Sequence, residues 1–218
     1  MVGPRLNMGA LMLTLALDVD GVLLDPDRNG HGHWTNELKA QFGIERAQLR
    51  ESFFMKSWDD VINGRRTVED GLGEALERIG TTVDVESVLS CWFETDYAPI
   101  DETFDLARRA AAAGCRVVLA TNQEHRRAAY LHRRIGAAFP LELVIYSADV
   151  GYQKHDARFF EAASDLLGLK PDQRTSVVFV DDVMHNVEAA RSSGWRAVHA
   201  SADQPWRQEV GDMLGLQR

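Results

Sequence analysis

The chain has 218 residues, a formal net charge of −9 and 45% apolar residues. It is long enough for one large domain, or for a core carrying a smaller inserted one, and apolar enough to fill that core rather than stay disordered. The acidity excludes a nucleic-acid surface, whose affinity comes from Lys and Arg on phosphates, but small phosphorylated ligands stay open if a divalent cation supplies local positive charge.

Cys91 and Cys115 are isolated, without zinc or redox spacing, and read as reduced, largely buried thiols of a cytoplasmic protein. Arg5 and the apolar stretch 8–17 superficially resemble a signal peptide, but no small-residue cleavage pattern follows and the run stops at Asp18. Residues 11–17 are therefore expected to be a core strand, with 1–10 a dispensable lead-in and Met8 or Met12 an alternative start. No later run approaches the ~18 apolar residues of a membrane helix.

In chain order, a short apolar piece at 22–24 leads into a polar, turn-rich linker over 25–30. From His33 to about Tyr97 the periodicity is helical. Trp34, Leu38 and Phe42 begin it, and Leu49, Phe53, Phe54, Trp58, Val61 and Ile62 follow in a helix stopped by Asn63 and Gly64. Thr67 with Asp70 forms a near capping box for a helix ending at Gly80, and Asp84 caps another that carries Val85, Val88, Leu89, Trp92 and Phe93.

The second half alternates. Helix 104–113, strand 115–120, a helix opening at Thr121 and Asn122, strand 143–146, loop 147–153, helix 156–167, strand 177–180, helix 183–193, strand 197–200 and a weak helix over 206–214 are expected in turn. Alternation of this kind implies βαβ units with right-handed crossovers. The first strand has no partner in the helical block and must join this sheet. The expected fold class is therefore α/β: a Rossmann-like parallel sheet with helices on both faces, split over 11–27 and 97–218, plus an inserted all-α cap over 28–96.

Four strands of this sheet end in polar groups. Asp18 and Asp20 follow the first, Thr121 and Asn122 the second, Lys154 comes after the third, and Asp181 and Asp182 close the fourth. Strand ends of a parallel sheet lie along one edge, where ligands collect. Asp18 and Asp20, two apart on an extended chain, point to one side, and two like charges held together require a cation, a shared proton or a reaction. Oxygen-only acidic ligands favour Mg²⁺ over softer metals. A hydroxyl and a lysine suit a phosphoryl group, and a carboxylate can be its acceptor.

The ordered set resembles the haloacid dehalogenase superfamily of phosphohydrolases. Its first motif, DxDx(T/V)(L/V), is matched by Asp18-Val19-Asp20-Gly21-Val22-Leu23, and its second, an apolar strand followed by Thr or Ser, by the run ending at Thr121 and Asn122. The third is matched by Lys154 with Phe159 and Phe160, and the fourth by Val178-Phe179-Val180-Asp181-Asp182. Asn186, Ala189, Ala190 and Gly194 fit the usual continuation, while His155 stands where the family has proline. The helical insertion is similar to the α-helical cap of the phosphoglycolate phosphatase and β-phosphoglucomutase branch.

The resemblance implies a Mg²⁺-dependent phosphatase acting on a small phosphorylated metabolite, with no nucleic-acid or membrane partner. Asp18 would be the nucleophile and Asp20 the acid and then the base. Thr121, the backbone at Asn122 and Lys154 would hold the phosphoryl group. Asp18, the Asp20 carbonyl and Asp182 would hold Mg²⁺, with Asp181 in or just behind the ligand set. The alternatives are a phosphosugar mutase, a 2-haloacid dehalogenase and a non-catalytic phosphate- or partner-binding protein. The dehalogenase branch lacks the second aspartate of the DxD, so Asp20 argues against it, and the intact site set argues against loss of catalysis.

Other candidates have simpler readings. His31 and His33 are expected to be solvated rather than metal ligands. Trp34 and Trp58 are expected to pack between helices, and Arg28, Lys56, Arg65 and Arg66 to lie at the surface, although caps of this kind close over substrate. His125 and Arg126 follow the phosphate turn and are weaker candidates to face the cleft. Thr121 also reads as an ordinary helix N-cap, a role compatible with phosphate binding.

Overall fold

A computed structural model describes residues 12–25 and 34–217. The expected lead-in, Arg28, His31 and His33 lie outside them. Five parallel strands form one sheet in the order β3-β2-β1-β4-β5. These are β1 (Thr14–Leu17), β2 (Arg116–Thr121), β3 (Leu143–Tyr146), β4 (Val177–Asp181) and β5 (Arg196–His199). The chain builds outward from β1 to β3, then returns to the other side of β1 with β4, so β1 stands at the topological switch where such sheets bind ligands.

Alternation along each strand feeds two cores. Leu15, Leu17, Val117, Leu119, Val178 and Val180 pack with α6 (Asp101–Ala112), α7 (His125–Gly136) and α11 (Trp206–Met213). Ala16, Val118, Ala120, Val177 and Phe179 pack on the other face with α9 (Ala157–Leu166) and α10 (Met184–Ser192). A parallel sheet buried on both faces reads as near-continuous apolar runs, as these strands do.

The insertion has its own core of Trp34, Leu38, Leu49, Phe53, Leu72, Leu76, Leu89 and Trp92, among others. Its helices are α1 (Thr35–Phe42), α2 (Arg46–Leu49), a π-helical turn (Arg50–Phe54), α3 (Trp58–Ile62), α4 (Val68–Ile79) and α5 (Val85–Thr95). The caps fall where the sequence places them. Thr67 accepts from the Asp70 N–H at 3.1 Å, Asp84 accepts from the Ser87 N–H at 2.9 Å, and Gly80 closes α4 in the left-handed conformation. The expected single helix across 49–62 is instead broken by the π-helical turn and by Ser57.

Three expectations at the sheet edge are corrected. Thr121 does not open a helix: it pairs with Tyr146 as the last residue of β2, and α7 begins at His125 with Glu124 as its cap. The first strand begins at Thr14, not at residue 11. Residues 147–153 are not all loop, because Ser147–Val150 forms α8, closed by left-handed Gly151.

The cap seats on this edge. Asp25 N–H donates to Ala98 C=O at 2.9 Å and Ile100 N–H to Leu23 C=O at 2.8 Å, so the two connections between core and cap run side by side. Ser147 Oγ donates to the Ile62 carbonyl at 2.7 Å, and Arg126 pairs with Glu69 at 2.6 Å and Glu86 at 2.8 Å. No helix among the described residues is long and apolar enough to cross a membrane.

Gly64 marks the tightest point of the seating. Its φ is +71°, and an added Cβ would lie 2.0 Å from the Ala148 carbonyl oxygen. Gly80 has a similar φ of +78° with nothing within 4 Å. The left-handed conformation alone costs Ala about 1–2 kcal/mol. Gly80→Ala is therefore expected to lower the unfolding free energy by about that much, and Gly64→Ala by about 3 kcal/mol or more because the overlap adds to it. Equal losses in urea denaturation would contradict this seating.

Candidate active site

The site starts where β1 stops. Asp18 donates its N–H to the Val180 carbonyl at 2.9 Å, so the sheet ladder still holds its backbone, and the residue is only 6% exposed. The chain then folds into a tight turn over residues 19–24, with the N–H groups of Leu23 and Leu24 both donating to the Val19 carbonyl at 2.8 Å. Gly21 sits in this turn at φ +80°, and a Cβ there would fall 2.3 Å from Asp182 Oδ2. Only glycine lets the Asp182 carboxylate lie against the turn.

At the centre is a buried ammonium. Lys154 Nζ lies 2.6 Å from Asp18 and 2.7 Å from Asp181. Its loop is fixed by the Asn122 side chain, which accepts the Lys154 N–H at 2.9 Å, so His155 in place of proline does not displace the lysine. Asn122 thus contributes a side-chain oxygen to the loop. Asp181 is further held by the Val183 N–H at 2.8 Å and by Asn186 Nδ2 at 3.1 Å.

The electrostatics follow from burial and this charge pattern. Burial pushes the Asp18 carboxyl up, Lys154 pulls it down and Asp181 raises it again, leaving it at about 7. Burial would lower Lys154, but its two carboxylates outweigh that and hold it above the usual lysine range. Burial and Asp181 raise Asp182. Like charges this close are relieved by a proton or a cation. Oxygens of Asp18, Asp181 and Asp182 lie within 4.8 Å of one another, a donor set of hard oxygens that fits Mg²⁺.

Asp20 faces the same cleft but has different partners. Arg127 forks onto both its oxygens, at 2.7 and 2.8 Å, and Gln123 Nε2 donates to it at 2.7 Å. Burial raises this carboxyl, but Arg127 and Gln123 outweigh it, and the net shift is below the ordinary aspartate range. Neither Arg127 nor Gln123 belongs to a motif in the sequence. One signal was available: α7 opens with His125, Arg126 and Arg127, although cations are disfavoured at a helix N-terminus. Such residues need acidic partners, and Arg126 and Arg127 both have them.

Asp18, Asp20, Thr121, Asn122, Lys154 and Asp182 line one cleft of about 440 Å³. Asp181 lies behind it, fully buried. Of the other candidates, Trp34 is buried and stacks on Trp92 at 4.9 Å, and Trp58 packs edge-on to Phe53 and Phe54. Lys56 is exposed, and Arg65 and Arg66 pair with Asp59, Asp60 and Glu74 on the cap's own surface. His125 is exposed beside Tyr146, and Arg126 turns to the cap instead of the cleft. Cys91 is a buried free thiol and Cys115 a half-buried one.

Removing one partner of a buried ion pair costs about 3–5 kcal/mol, because the remaining charge is left uncompensated. Lys154→Met is expected to lower the unfolding free energy by about that amount. Adding Asp18→Asn should restore part of it, and strictly additive losses in denaturant titrations would show that Lys154 and Asp18 are not coupled.

A family model described as haloacid dehalogenase-like hydrolase matches residues 12–194. No curated protein matches the chain. Among solved structures, the HAD family enzyme bt-2542 from Bacteroides thetaiotaomicron superposes with a TM-score of 0.72 at 18% identity, covering 92% of this chain and 99% of that one. The same enzyme in complex with magnesium and inorganic phosphate gives 0.70 at 18%, covering 91% and 98%. A predicted HAD-like family hydrolase from Porphyromonas gingivalis gives 0.68 at 19%, covering 95% and 100%. The L-2-haloacid dehalogenase PA0810 gives 0.65 at 16%, covering 94% and 99%. At these identities the superpositions establish a shared fold. Taken with the family match over residues 12–194, they show that this chain belongs to the haloacid dehalogenase-like hydrolases.

Proposed function

We propose that the protein is a Mg²⁺-dependent phosphatase that hydrolyses a small phosphate monoester through a phosphoryl group carried on Asp18. The observation that carries this reading is the Lys154 ammonium, shared between Asp18 and Asp181 at 2.6 and 2.7 Å, with the Asp182 carboxylate beside them. It supports a nucleophile whose charge is compensated on one side and whose other side faces the cleft that Thr121 also lines.

In this mechanism a carboxylate oxygen of Asp18 attacks phosphorus, forming the acyl phosphate as the bond to the leaving oxygen breaks. Asp20, which Arg127 favours as the carboxylate in the free protein, takes up a proton as the anionic substrate enters the cleft and gives that proton to the leaving oxygen. It then takes a proton from the water that attacks phosphorus, which releases inorganic phosphate and restores the Asp18 carboxylate. The Thr121 hydroxyl and Lys154 ammonium hydrogen-bond the phosphoryl oxygens as they gain charge. Mg²⁺ would be held by the carboxylates of Asp18 and Asp182 and the Asp20 carbonyl, with Asp181 orienting Lys154, and would supply positive charge that lets two anions approach.

The magnesium and phosphate complex of the Bacteroides enzyme supports this reading through the shared fold. The dehalogenase likeness supports the alternative equally on fold, but the dehalogenase branch lacks the second aspartate of the DxD, and here Asp20 is present and firmly bonded.

Wild-type protein is expected to release phosphate from p-nitrophenyl phosphate and from members of a panel of phosphorylated metabolites with Mg²⁺, and to stop with EDTA. Asp18→Asn should fall to the buffer rate, and Asp20→Asn should lose about 10²–10⁴-fold. Absence of Mg²⁺-dependent turnover across the panel, or chloride release from 2-chloropropionate without metal, would refute the assignment. Phosphosugar isomerisation without net phosphate release would replace it with a mutase.

A further inference from the structure

Asp20, the carboxyl assigned above to proton transfer, is oriented from outside the turn that carries it. Its side chain is 41% exposed, and among the described residues its side-chain hydrogen bonds come from Arg127 and Gln123. Arg127, itself nearly buried, sets the carboxylate plane with two N–H groups on two oxygens at 2.7 and 2.8 Å. A guanidinium fork fixes a carboxylate's rotation as a point charge does not. Gln123 adds a third bond at 2.7 Å and is itself held, its N–H donating to Ser147 Oγ at 3.1 Å and its Oε1 accepting from Arg127 at 3.2 Å.

The same guanidinium nitrogen that bonds Asp20 Oδ1 also faces the cap. Asp96 Oδ2 lies 3.6 Å from Arg127, and Trp92, on the cap's last helix, donates its indole N–H to Asp96 at 2.8 Å. The guanidinium carbon also stands 5.9 Å from the centroid of the Trp92 ring. Asp96 ends α5 just before the connection back to the core. One arginine therefore touches the proton-transfer group and the point where the cap is joined.

We infer that Arg127 is the positioning residue for Asp20, and that through Asp96 and Trp92 it ties the orientation of that carboxyl to the seating of the cap. The inference rests on the phosphatase reading above. Misplacing a catalytic group by about 1 Å can cost about 10²-fold, which sets the scale of the effect.

The test compares two leaving groups in the full-length protein with Mg²⁺. A p-nitrophenolate leaves without protonation, whereas an alkoxide needs its proton. Arg127→Gln is expected to lose about 10²-fold in kcat/KM on an alkyl phosphate and about 10-fold or less on p-nitrophenyl phosphate, because kcat/KM reports formation of the acyl phosphate and not the base step that both substrates share. Arg127→Lys, which keeps the charge and loses the fork, should recover little of this. Asp20→Asn with Arg127→Gln should be no slower than Asp20→Asn alone, because the two act as a unit.

Gln123→Leu, a milder change, should show the same substrate dependence to a smaller degree, and so should Asp96→Asn. Equal losses on both substrates, or additive losses with Asp20→Asn, would overturn the inference. An unchanged alkyl-to-aryl ratio in Asp96→Asn would remove the cap from it. If wild-type protein turns over neither substrate, the phosphatase reading fails on its own. A crystal structure of Arg127→Gln then decides, with a rotated Asp20 carboxylate supporting the positioning role and an unmoved one overturning it.

Discussion

The Lys154 ammonium, with Asp18 and Asp181 both within 2.7 Å, is the interaction on which the rest of the site depends. A buried lysine is costly without anionic partners, and two buried aspartates are costly without a cation. Neither arrangement would persist alone at the edge of a sheet whose strands are filled with Leu, Val and Phe. Together they hold three strand ends in register: β1 through Asp18, β4 through Asp181, and the loop after β3 through Lys154 itself. The Asn122 side chain, just past β2, accepts the Lys154 N–H and adds the fourth. The ion cluster thus fixes the edge of the sheet at the place where the chemistry is proposed to occur.

The second organising element is the start of α7. Its first turn carries three basic residues where a helix prefers acids, and buried Glu124 caps it by accepting from the Arg126 and Arg127 N–H groups. The unfavourable dipole interaction is offset by partners brought from elsewhere. Arg126 reaches outward to Glu69 and Glu86 of the cap, and Arg127 reaches inward to Asp20 and sideways to Asp96. Arg126 is 41% exposed, and ion pairs at that exposure contribute modestly, so this contact sets where the cap rests more than how stable it is. Arg127 is the buried member, and its worth lies in geometry.

Much of this was legible in the residues, for identifiable reasons. Strands that end abruptly in acids are a local signal, and four such ends in a βαβ pattern have to converge along one edge. The helix caps at Thr67, Gly80 and Asp84 were equally local. Thr121 was ambiguous because a threonine after an apolar run suits both a strand and an N-cap; only its pairing with Tyr146, in another strand, decides for the strand. Ser147–Val150 reads as loop in the sequence because a single helical turn is too short to show a period. The Arg127 contact with Asp20 spans 107 positions, and no pattern within either segment specifies the other. The basic run opening α7 could have flagged that acids must meet it, but could not have said which.

Charge balance then links the two elements to the metal. Four carboxylates, Asp18, Asp20, Asp181 and Asp182, gather around two cations, Lys154 and Arg127. Arg127 is committed to Asp20, which leaves Lys154 to face Asp18, Asp181 and the nearby Asp182. A phosphate dianion entering that cleft would meet net negative charge, and the chain as a whole, at −9, offers no surrounding positive field to draw it in. The Asp18 carboxyl, raised to about 7 by burial and then by Asp181 against the pull of Lys154, also tends to hold a proton. A divalent cation held by the oxygens of Asp18 and Asp182 would meet both obstacles: it would favour the unprotonated nucleophile and supply the attraction that the protein's own cations, already paired, cannot. On this argument, the metal requirement of the proposed reaction follows from how the lysine and the arginine are already engaged.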